Sequence, residues 1–264
     1  MDFGIAGKVA LSSGGSKGMG KAVSIDLARE GCKVVVCARG QKAVDETVAE
    51  IRDSGGEAVP AYVDMAKRDG IAEAVRIAEA SWGSPDIVVG NVYGPRHGRF
   101  EETSDEDFQE AYDQMLMSQV HLLRAVTPAM KEKGWGRIVL IGSISSKQPH
   151  KELPLVSANV TRTAALALNR SVANELGQYG ITVNTIGTGG FATERYFEYM
   201  RGQAEANGID FDEHEATRRD GYPIGRLGRP DEMSAVIVFL CSDRASYVTG
   251  QFVMVDGGAV NTLM

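Results

Sequence analysis

The sequence is poor in cysteine: its three cysteines are Cys32, Cys37 and Cys241. None of them forms a C-x-x-C pair, so neither a disulfide framework nor a cysteine metal site is expected. Cys32 and Cys37 flank or lie within an apolar run. This placement predicts buried free thiols in a reducing cytoplasm.

Long hydrophobic runs are also missing. No run reaches the length of about 18 apolar residues that a membrane span needs. The start, MDFGIAGKVALSSGG, lacks a basic segment followed by a long apolar one, so we expect no signal peptide. Positively charged residues are in the minority: the sequence has 28 Lys and Arg and 35 Asp and Glu, for a formal net charge of -7. Nucleic acids and anionic membranes select basic surfaces, so we expect neither as a partner.

The 264 residues fit one large domain. Short apolar segments alternate with longer amphipathic ones, as in repeated βαβ units, and their continuous hydrophobicity is typical of strands covered on both faces. We therefore predict an α/β fold, a single domain over residues 1–264 with a doubly wound parallel sheet. The predicted strands lie in KVALSS, KVVVCAR, EAVPAYVD, DIVVGNV, GRIVLIGS, ITVNTIGT and QFVMVDGG.

Residues 192–222 interrupt this alternation with a polar sequence that carries scattered aromatic side chains. An insertion past the carboxyl end of a strand would overhang the ligand crevice of such a sheet. We interpret the 192–222 segment as a helical substrate lid. An ordinary surface excursion fits the same composition.

A glycine-rich turn joins the first predicted strand to the first predicted helix. Glycines there permit a tight turn and let backbone N–H groups approach a pyrophosphate, which the positive end of the helix stabilises. The alternative is that the glycines have only a packing role, but their place directly after the first strand favours the ligand. The predicted cofactor residues of this turn are Ser13, Gly14, Ser16, Lys17, Gly18 and Gly20.

The second strand ends in CARG, with Arg39 where a protein that prefers NAD(H) would carry an acidic residue for the ribose 2′-hydroxyl. Lys17 lies in the glycine-rich turn. Two cations beside a 2′-phosphate favour NADP(H) over NAD(H). The alternative is that both are solvated surface charges.

The glycines follow the spacing G-x-x-x-G-x-G, and they are joined by GNVYG, GRIVLIGS, VNTIGTGGFAT and the C-terminal GRPDEMSAVIVFLCSDRASYVTGQFVMVDGG. With these motifs the chain resembles the short-chain dehydrogenase/reductase family, in its 3-oxoacyl-acyl carrier protein reductase branch, over nearly its full length. The resemblance implies a Rossmann-type fold and a homotetramer. It also implies that Asp64 contacts the adenine, Asn91 the adenosine ribose region and Thr193 the carboxamide of the nicotinamide, with Gly189 nearby.

Members of this family reduce carbonyl groups with an Asn-Ser-Tyr-Lys set. Ser143 matches the family serine. Counting thirteen residues onward from Ser143 puts Val156 in place of the tyrosine and Val160 in place of the lysine. Counting thirteen back from Pro128 puts Met115 in place of the asparagine. We therefore expect the two valines to line the nicotinamide site as an apolar patch.

Other polar residues are candidates to replace the missing acid. Tyr93 is the first choice, because it follows the fourth strand. The others are Tyr196, Tyr199, Lys147, His150 and Lys151, and each of the candidates also has an interpretation as a packing aromatic or an exposed loop group.

The loop YGPRHGRF contains Arg96, His97 and Arg99, which could hold the carboxylate or phosphate of a small anionic substrate or could simply be solvated. His121 and His214 show no ligand-like pairing, so no metal is expected. The leading hypothesis is an NADP(H)-binding oxidoreductase that acts on a small carbonyl or alcohol with a non-standard active site. Two alternatives remain open: a non-redox enzyme (a hydrolase, isomerase or decarboxylase) and a catalytically silent cofactor-binding protein.

Overall fold

A computed structural model describes residues 1–151 and 153–262. Seven parallel strands form one sheet in the order β3-β2-β1-β4-β5-β6-β7. The strands are β1 (Val9–Ser13), β2 (Lys33–Ala38), β3 (Glu57–Tyr62), β4 (Ile87–Gly90), β5 (Gly136–Ser143), β6 (Ile181–Thr188) and β7 (Phe252–Val255). Every strand lies within a segment predicted from the sequence, and the prediction of a doubly wound α/β fold is confirmed.

Helices connect the strands and cover both faces of the sheet. They are α1 (Gly18–Arg29), α2 (Gln41–Asp53), α3 (Arg68–Ser81), α4 (Asp105–Tyr112), α5 (Ser118–Lys133), α6 (Val156–Leu176), α7 (Glu194–Asn207), α8 (Phe211–Asp220) and α9 (Pro230–Cys241). A π-helical turn, Asp113–Met117, joins α4 to α5. Within the described ranges, no helix combines the length and the apolar character needed to cross a membrane.

The core consists of two apolar layers, one on each face of the sheet. Successive side chains of a strand point to opposite faces, so Ala10 of β1 belongs to the layer under α1 and α9, whereas Leu11 belongs to the layer under α3 and α5. All three cysteines are buried and free, as predicted. Burial raises the pKa of Cys32 to about 12, so this thiol stays protonated and unreactive at neutral pH.

The strand order reverses at β1, which lies between β2 and β4. Connections leave β1 and β4 toward opposite sides, and this opens a crevice at the carboxyl ends of the two strands. The Ser13 hydroxyl donates a hydrogen bond to the Asn91 carbonyl oxygen and ties these ends together. The fold therefore places its ligand crevice between the glycine-rich turn and the loop that follows β4.

The 192–222 segment folds as two helices, α7 and α8. Thr193 begins α7, since its hydroxyl accepts a hydrogen bond from the Tyr196 N–H at 3.2 Å. Gly208 ends α7 in the left-handed conformation with φ 64°, where a side chain would be strained. Asp210 then begins α8 by accepting from the N–H groups of Asp212 and Glu213. The helical part of the prediction for this segment is confirmed.

Candidate active site

Two adjoining cavities occupy the carboxyl ends of the strands. The smaller has a volume of about 640 Å³ and lies over the glycine-rich turn. The larger has a volume of about 1300 Å³ and extends from the end of β5 to α7 and α8. Both are lined by Met19, Asn91, Val92, Tyr93, Thr193, Arg195 and Glu198. Because they share these lining residues, the two cavities adjoin each other.

The glycine-rich turn lies tightly against the start of α1. Gly14 (φ 62°) and Gly18 (φ 50°) adopt the left-handed conformation, which favours glycine. A Cβ atom on Gly20 would overlap the carbonyl oxygen of Gly14, so only glycine fits there. No side chain caps the N-terminus of α1 at Lys17. The first N–H groups of this helix are therefore available to an anion, and the geometry fits the pyrophosphate of a dinucleotide.

Charged side chains line the far end of the smaller cavity. Arg39 and Lys67 lie there with Asp64, whose carboxylate accepts a hydrogen bond from the Ala66 N–H at 3.0 Å. Lys17 forms an ion pair with Glu194 at 2.9 Å, and both side chains are largely exposed. Arg39 forms no ion pair within the described ranges. Arg39 and Lys67 are thus more readily available to a 2′-phosphate than Lys17, which would first have to leave Glu194.

The structure places most of the predicted cofactor residues on the crevice. Ser13 and Gly20 lie behind the turn, where they hold its shape, and Gly189 lines the larger cavity. The residues that line the smaller cavity are Gly14, Ser16, Lys17, Gly18, Arg39, Asp64, Asn91 and Thr193.

A chain of polar groups crosses the floor of the larger cavity. Ser143, the last residue of β5, accepts a hydrogen bond at its hydroxyl from the Ser145 N–H at 3.2 Å. The hydroxyl of Ser145 accepts in turn from Arg162 Nη1 at 3.5 Å. Ser145 is buried, and Ser143 and Arg162 line the cavity. Ser145 therefore links the hydroxyl of Ser143 to the guanidinium of α6.

An apolar wall stands beside this chain of polar groups. Met115, in the π-helical turn, packs against Leu155 and Ala158 at the start of α6, and Leu153 packs against all three. Met115 is 5% exposed and Ala158 is 1% exposed. None of these four side chains carries a hydroxyl or a charge, so the wall offers a substrate no proton donor.

Contacts of α7 reach the glycine-rich turn and the loop after β4. Besides the ion pair between Lys17 and Glu194, the Arg195 guanidinium lies 3.8 Å from the ring centroid of Tyr93. The rings of His97 and Tyr199 meet edge to face with centroids 4.7 Å apart. Helix α7 thus lies against the glycine-rich turn and the loop after β4.

The remaining predicted substitutes for the acid differ in their surroundings. Tyr93 is 64% exposed and lies where the two cavities meet. The Tyr196 hydroxyl is buried without a hydrogen-bond partner in the described part of the chain, and burial raises its pKa to about 12. The Tyr199 hydroxyl accepts from Gln203 at 2.9 Å. His150 interacts with Arg218 at 3.0 Å, whereas Lys151 lines the larger cavity and Lys147 does not.

The chain is similar in sequence to a known protein family and to several of its members. Residues 14–260 match the family model described as "Enoyl-(Acyl carrier protein) reductase". The chain belongs to the short-chain dehydrogenase/reductase family. It is 31% identical to dehydrogenase/reductase SDR family member 4 of Bos taurus, over 97% of this chain and 88% of that protein. It is 32% identical to 7alpha-hydroxysteroid dehydrogenase of Escherichia coli K12, over 97% and 96% of the two chains.

Among solved structures, L-sorbose reductase from Gluconobacter frateurii is similar over the full length of both chains, with a TM-score of 0.93 and 32% identity. That enzyme was solved in complex with NADPH and L-sorbose. A variant of actinorhodin polyketide ketoreductase, solved with NADPH, has a TM-score of 0.91 and 28% identity over 97% of this chain and 98% of its own. The family is thus one of oxidoreductases.

The structure corrects the expected positions of the family's tyrosine and lysine. Val156 and Val160 do not line the crevice, and Val160 is 56% exposed. Of α6, Arg162 lines the crevice, and Ala158, four residues earlier on the same face, is buried in the cluster with Met115 and Leu155, which do line it. The prediction that the two valines form the apolar patch was wrong. The count of thirteen residues from Ser143 crosses a loop whose length is not constrained. It therefore selects Val156, two positions before Ala158.

Ala158 and Arg162 have the four-residue spacing of the family's tyrosine and lysine. Met115 lies in the same buried cluster as Ala158. Its place as the counterpart of the asparagine stays a prediction. Arg162, Arg195 and Ser145 were missed by the sequence analysis. Arg162 could have been recognised from the sequence as a candidate site residue, because it is the one charged residue in NVTRTAALAL.

Proposed function

We propose that this chain is an NADP(H)-dependent oxidoreductase that interconverts a small carbonyl compound and its alcohol. The observation that carries the proposal is that two cavities adjoin: one lies over an uncapped, glycine-lined helix N-terminus, and the other is lined by Ser143 and Arg162, which Ser145 links. The NADPH in the solved relatives supports the same assignment.

The residues of the smaller cavity suit a phosphorylated dinucleotide. The first N–H groups of α1 would hold the pyrophosphate, and Arg39 would pair with the 2′-phosphate. Asp64 and Asn91 would contact the adenine and its ribose, and Thr193, at the wall between the cavities, would meet the nicotinamide end. When bound, the nicotinamide supplies or accepts the hydride.

The larger cavity would stabilise charge on the substrate oxygen. Reduction of a carbonyl leaves negative charge on its oxygen, and that charge requires a donor and finally a proton. The Ser143 hydroxyl would donate a hydrogen bond to this oxygen, and Arg162, linked through Ser145, would add positive charge. We assign the proton transfer to Tyr93, because it lies where the two cavities meet.

The apolar wall favours a second candidate function. With Ala158 and Met115 in place of the acid and the asparagine, the family's usual proton relay is lost. This supports either a non-redox reaction in the same crevice or a silent cofactor-binding role. Turnover without a change in the redox state of the cofactor would indicate the first, and cofactor binding without turnover would indicate the second.

Fluorescence titration with NADPH and NADH tests the proposal. We expect both cofactors to bind and NADPH to bind more tightly, because Arg39 can pair with the 2′-phosphate. A single well-formed charge-assisted hydrogen bond stabilises by about 1.5–3 kcal/mol, which corresponds to roughly a tenfold preference or more. Equal affinities, or a preference for NADH, would reject the assignment of NADP(H).

A further inference from the structure

Two arginine side chains converge inside the larger cavity. A Cβ atom added to Gly94 would lie 3.2 Å from Arg162 Nη2 and 3.3 Å from Arg195 Nη2. The two nitrogens therefore lie no more than about 6.5 Å apart, the sum of these distances. Arg162 comes from α6 and Arg195 from α7, so the pair spans the cavity between the floor and the 192–222 segment.

In the described parts of the chain, no carboxylate forms an ion pair with Arg162 or Arg195. Arg162 is partly buried, so it has lost water without gaining an acidic partner, and burial lowers its pKa to about 10, with Arg195 contributing. Burial, Arg195 and Arg162 together lower the pKa of His97. Two unpaired cations that repel each other at this distance leave a site that an anion would stabilise.

The whole cavity is positively charged, although the chain carries a formal net charge of -7. Among the described residues that line it, six side chains are cationic and two, Glu102 and Glu198, are carboxylates. The six are Arg96, Arg99, Lys151, Arg162, Arg195 and Arg218. Glu102 is already engaged, since it accepts a hydrogen bond from the Arg99 N–H at 3.0 Å. Such a concentration of cations in an acidic protein raises the local concentration of anions.

We infer that Arg162 and Arg195 form a binding site for the anionic group, a carboxylate or a phosphate monoester, of the substrate. Guanidinium groups match the oxygens of both groups in a bidentate arrangement. Ser145 joins Arg162 to Ser143, so the anionic group and the reacting carbonyl would belong to one small molecule. This assignment deepens the proposed function and rests on it for the identity of the reacting group. Arg96, His97 and Arg99 were predicted to bind an anionic substrate. The inference gives the same role to Arg162 and Arg195, which lie outside that loop.

Isothermal titration of the full chain with malonate and with inorganic phosphate tests the site without any turnover. We expect wild-type protein to bind at least one of these probes, and the tighter one identifies the group. Arg195→Gln and Arg162→Gln should each weaken that binding about tenfold or more, because each removes a charge-assisted contact. Arg162→Lys should weaken it less, since it keeps the charge and loses only the planar fork.

Arg201→Gln is the matched control, because Arg201 lies on α7, is exposed and does not line either cavity. It should bind the probe like wild type. Arg195 is exposed as well, so Arg195→Gln remains informative even if Arg162→Gln fails to fold. Binding of neither probe to wild type, or equal binding to wild type and Arg195→Gln, would overturn the inference. The fluorescence titration with NADPH and NADH does not depend on this result. Failure of the proposed function would appear in that titration, whereas failure of the anion site would appear in the titration with malonate and phosphate.

Discussion

Replacing Ala158 with tyrosine should speed carbonyl reduction, because it puts a phenol on the face of α6 that also carries Arg162. Ala158 packs against Met115 and Leu155 and precedes Arg162 by one helical turn. Residues four apart on a helix are neighbours. The Arg162 guanidinium would therefore lie beside the new hydroxyl and lower its pKa, since an opposite charge nearby favours the phenolate. Such a group can then give its proton to a substrate oxygen at neutral pH.

The size of the gain follows from the chemistry and from the space at the site. General acid catalysis contributes about 10² to 10⁴ in rate. Ala158 is 1% exposed, so the ring must displace Met115 or turn toward the cavity of about 1300 Å³. Because this crowding has a cost, we expect Ala158→Tyr to raise kcat with simple ketones by about 10², the lower end of that range. Adding Met115→Asn should raise kcat further, because asparagine is polar and smaller than methionine.

Stopped-flow measurement of NADPH oxidation on a panel of ketones provides the assay. Val156→Tyr and Val160→Tyr are matched controls on the same helix, and we expect neither to change the rate. Circular dichroism on heating checks that all variants fold. A gain with Val156→Tyr and none with Ala158→Tyr would refute the orientation of α6 described above. Wild-type rates equal to those of a relative with the full Asn-Ser-Tyr-Lys set would show that Tyr93 or another acid already replaces the family's tyrosine fully, and would contradict the expected gain.

Four further outcomes are expected. Arg39→Asp should reverse the cofactor preference in fluorescence titrations toward NADH, and unchanged preference would exclude Arg39 from the 2′-phosphate site. Gly20→Ala should abolish cofactor binding and lower the melting temperature, because its Cβ would overlap the Gly14 carbonyl oxygen; wild-type behaviour would contradict the geometry of the turn. Protease cleavage within RGQAEANG of α7 should slow when cofactor and substrate are both present, if the 192–222 segment closes as a lid, and constant cleavage would leave it an ordinary insertion. Sedimentation equilibrium should give the mass of four chains, as the family resemblance implies, and a one-chain mass would reject the homotetramer.

The sequence was a good guide where a residue's role depends on local structure. Strands β5 and β6 were predicted to the residue, because fully buried parallel strands leave continuous apolar runs with clear ends. The glycine-rich turn was equally clear, since the left-handed Gly14 and Gly18 tolerate no other residue without strain.

Prediction failed where a position depends on a loop of unknown length. The loop between Ser143 and α6 has no periodic pattern, so a fixed count through it selected Val156 instead of Ala158. The helical period does not choose between the two pairs, because Val156 and Val160 are four residues apart just as Ala158 and Arg162 are. The convergence of Arg162 with Arg195 could not be foreseen, since it brings together α6 and α7 across a cavity.

The most direct test of the central claim is to measure NADPH oxidation and alcohol formation together, with small oxo acids and phosphorylated ketones as substrates. The account predicts slow turnover in which one alcohol forms for each NADPH consumed, and a large loss of rate in Arg162→Gln and in Ser143→Ala. Substrate consumption without any change in NADPH, or NADPH binding without turnover of any substrate in either class, would contradict it.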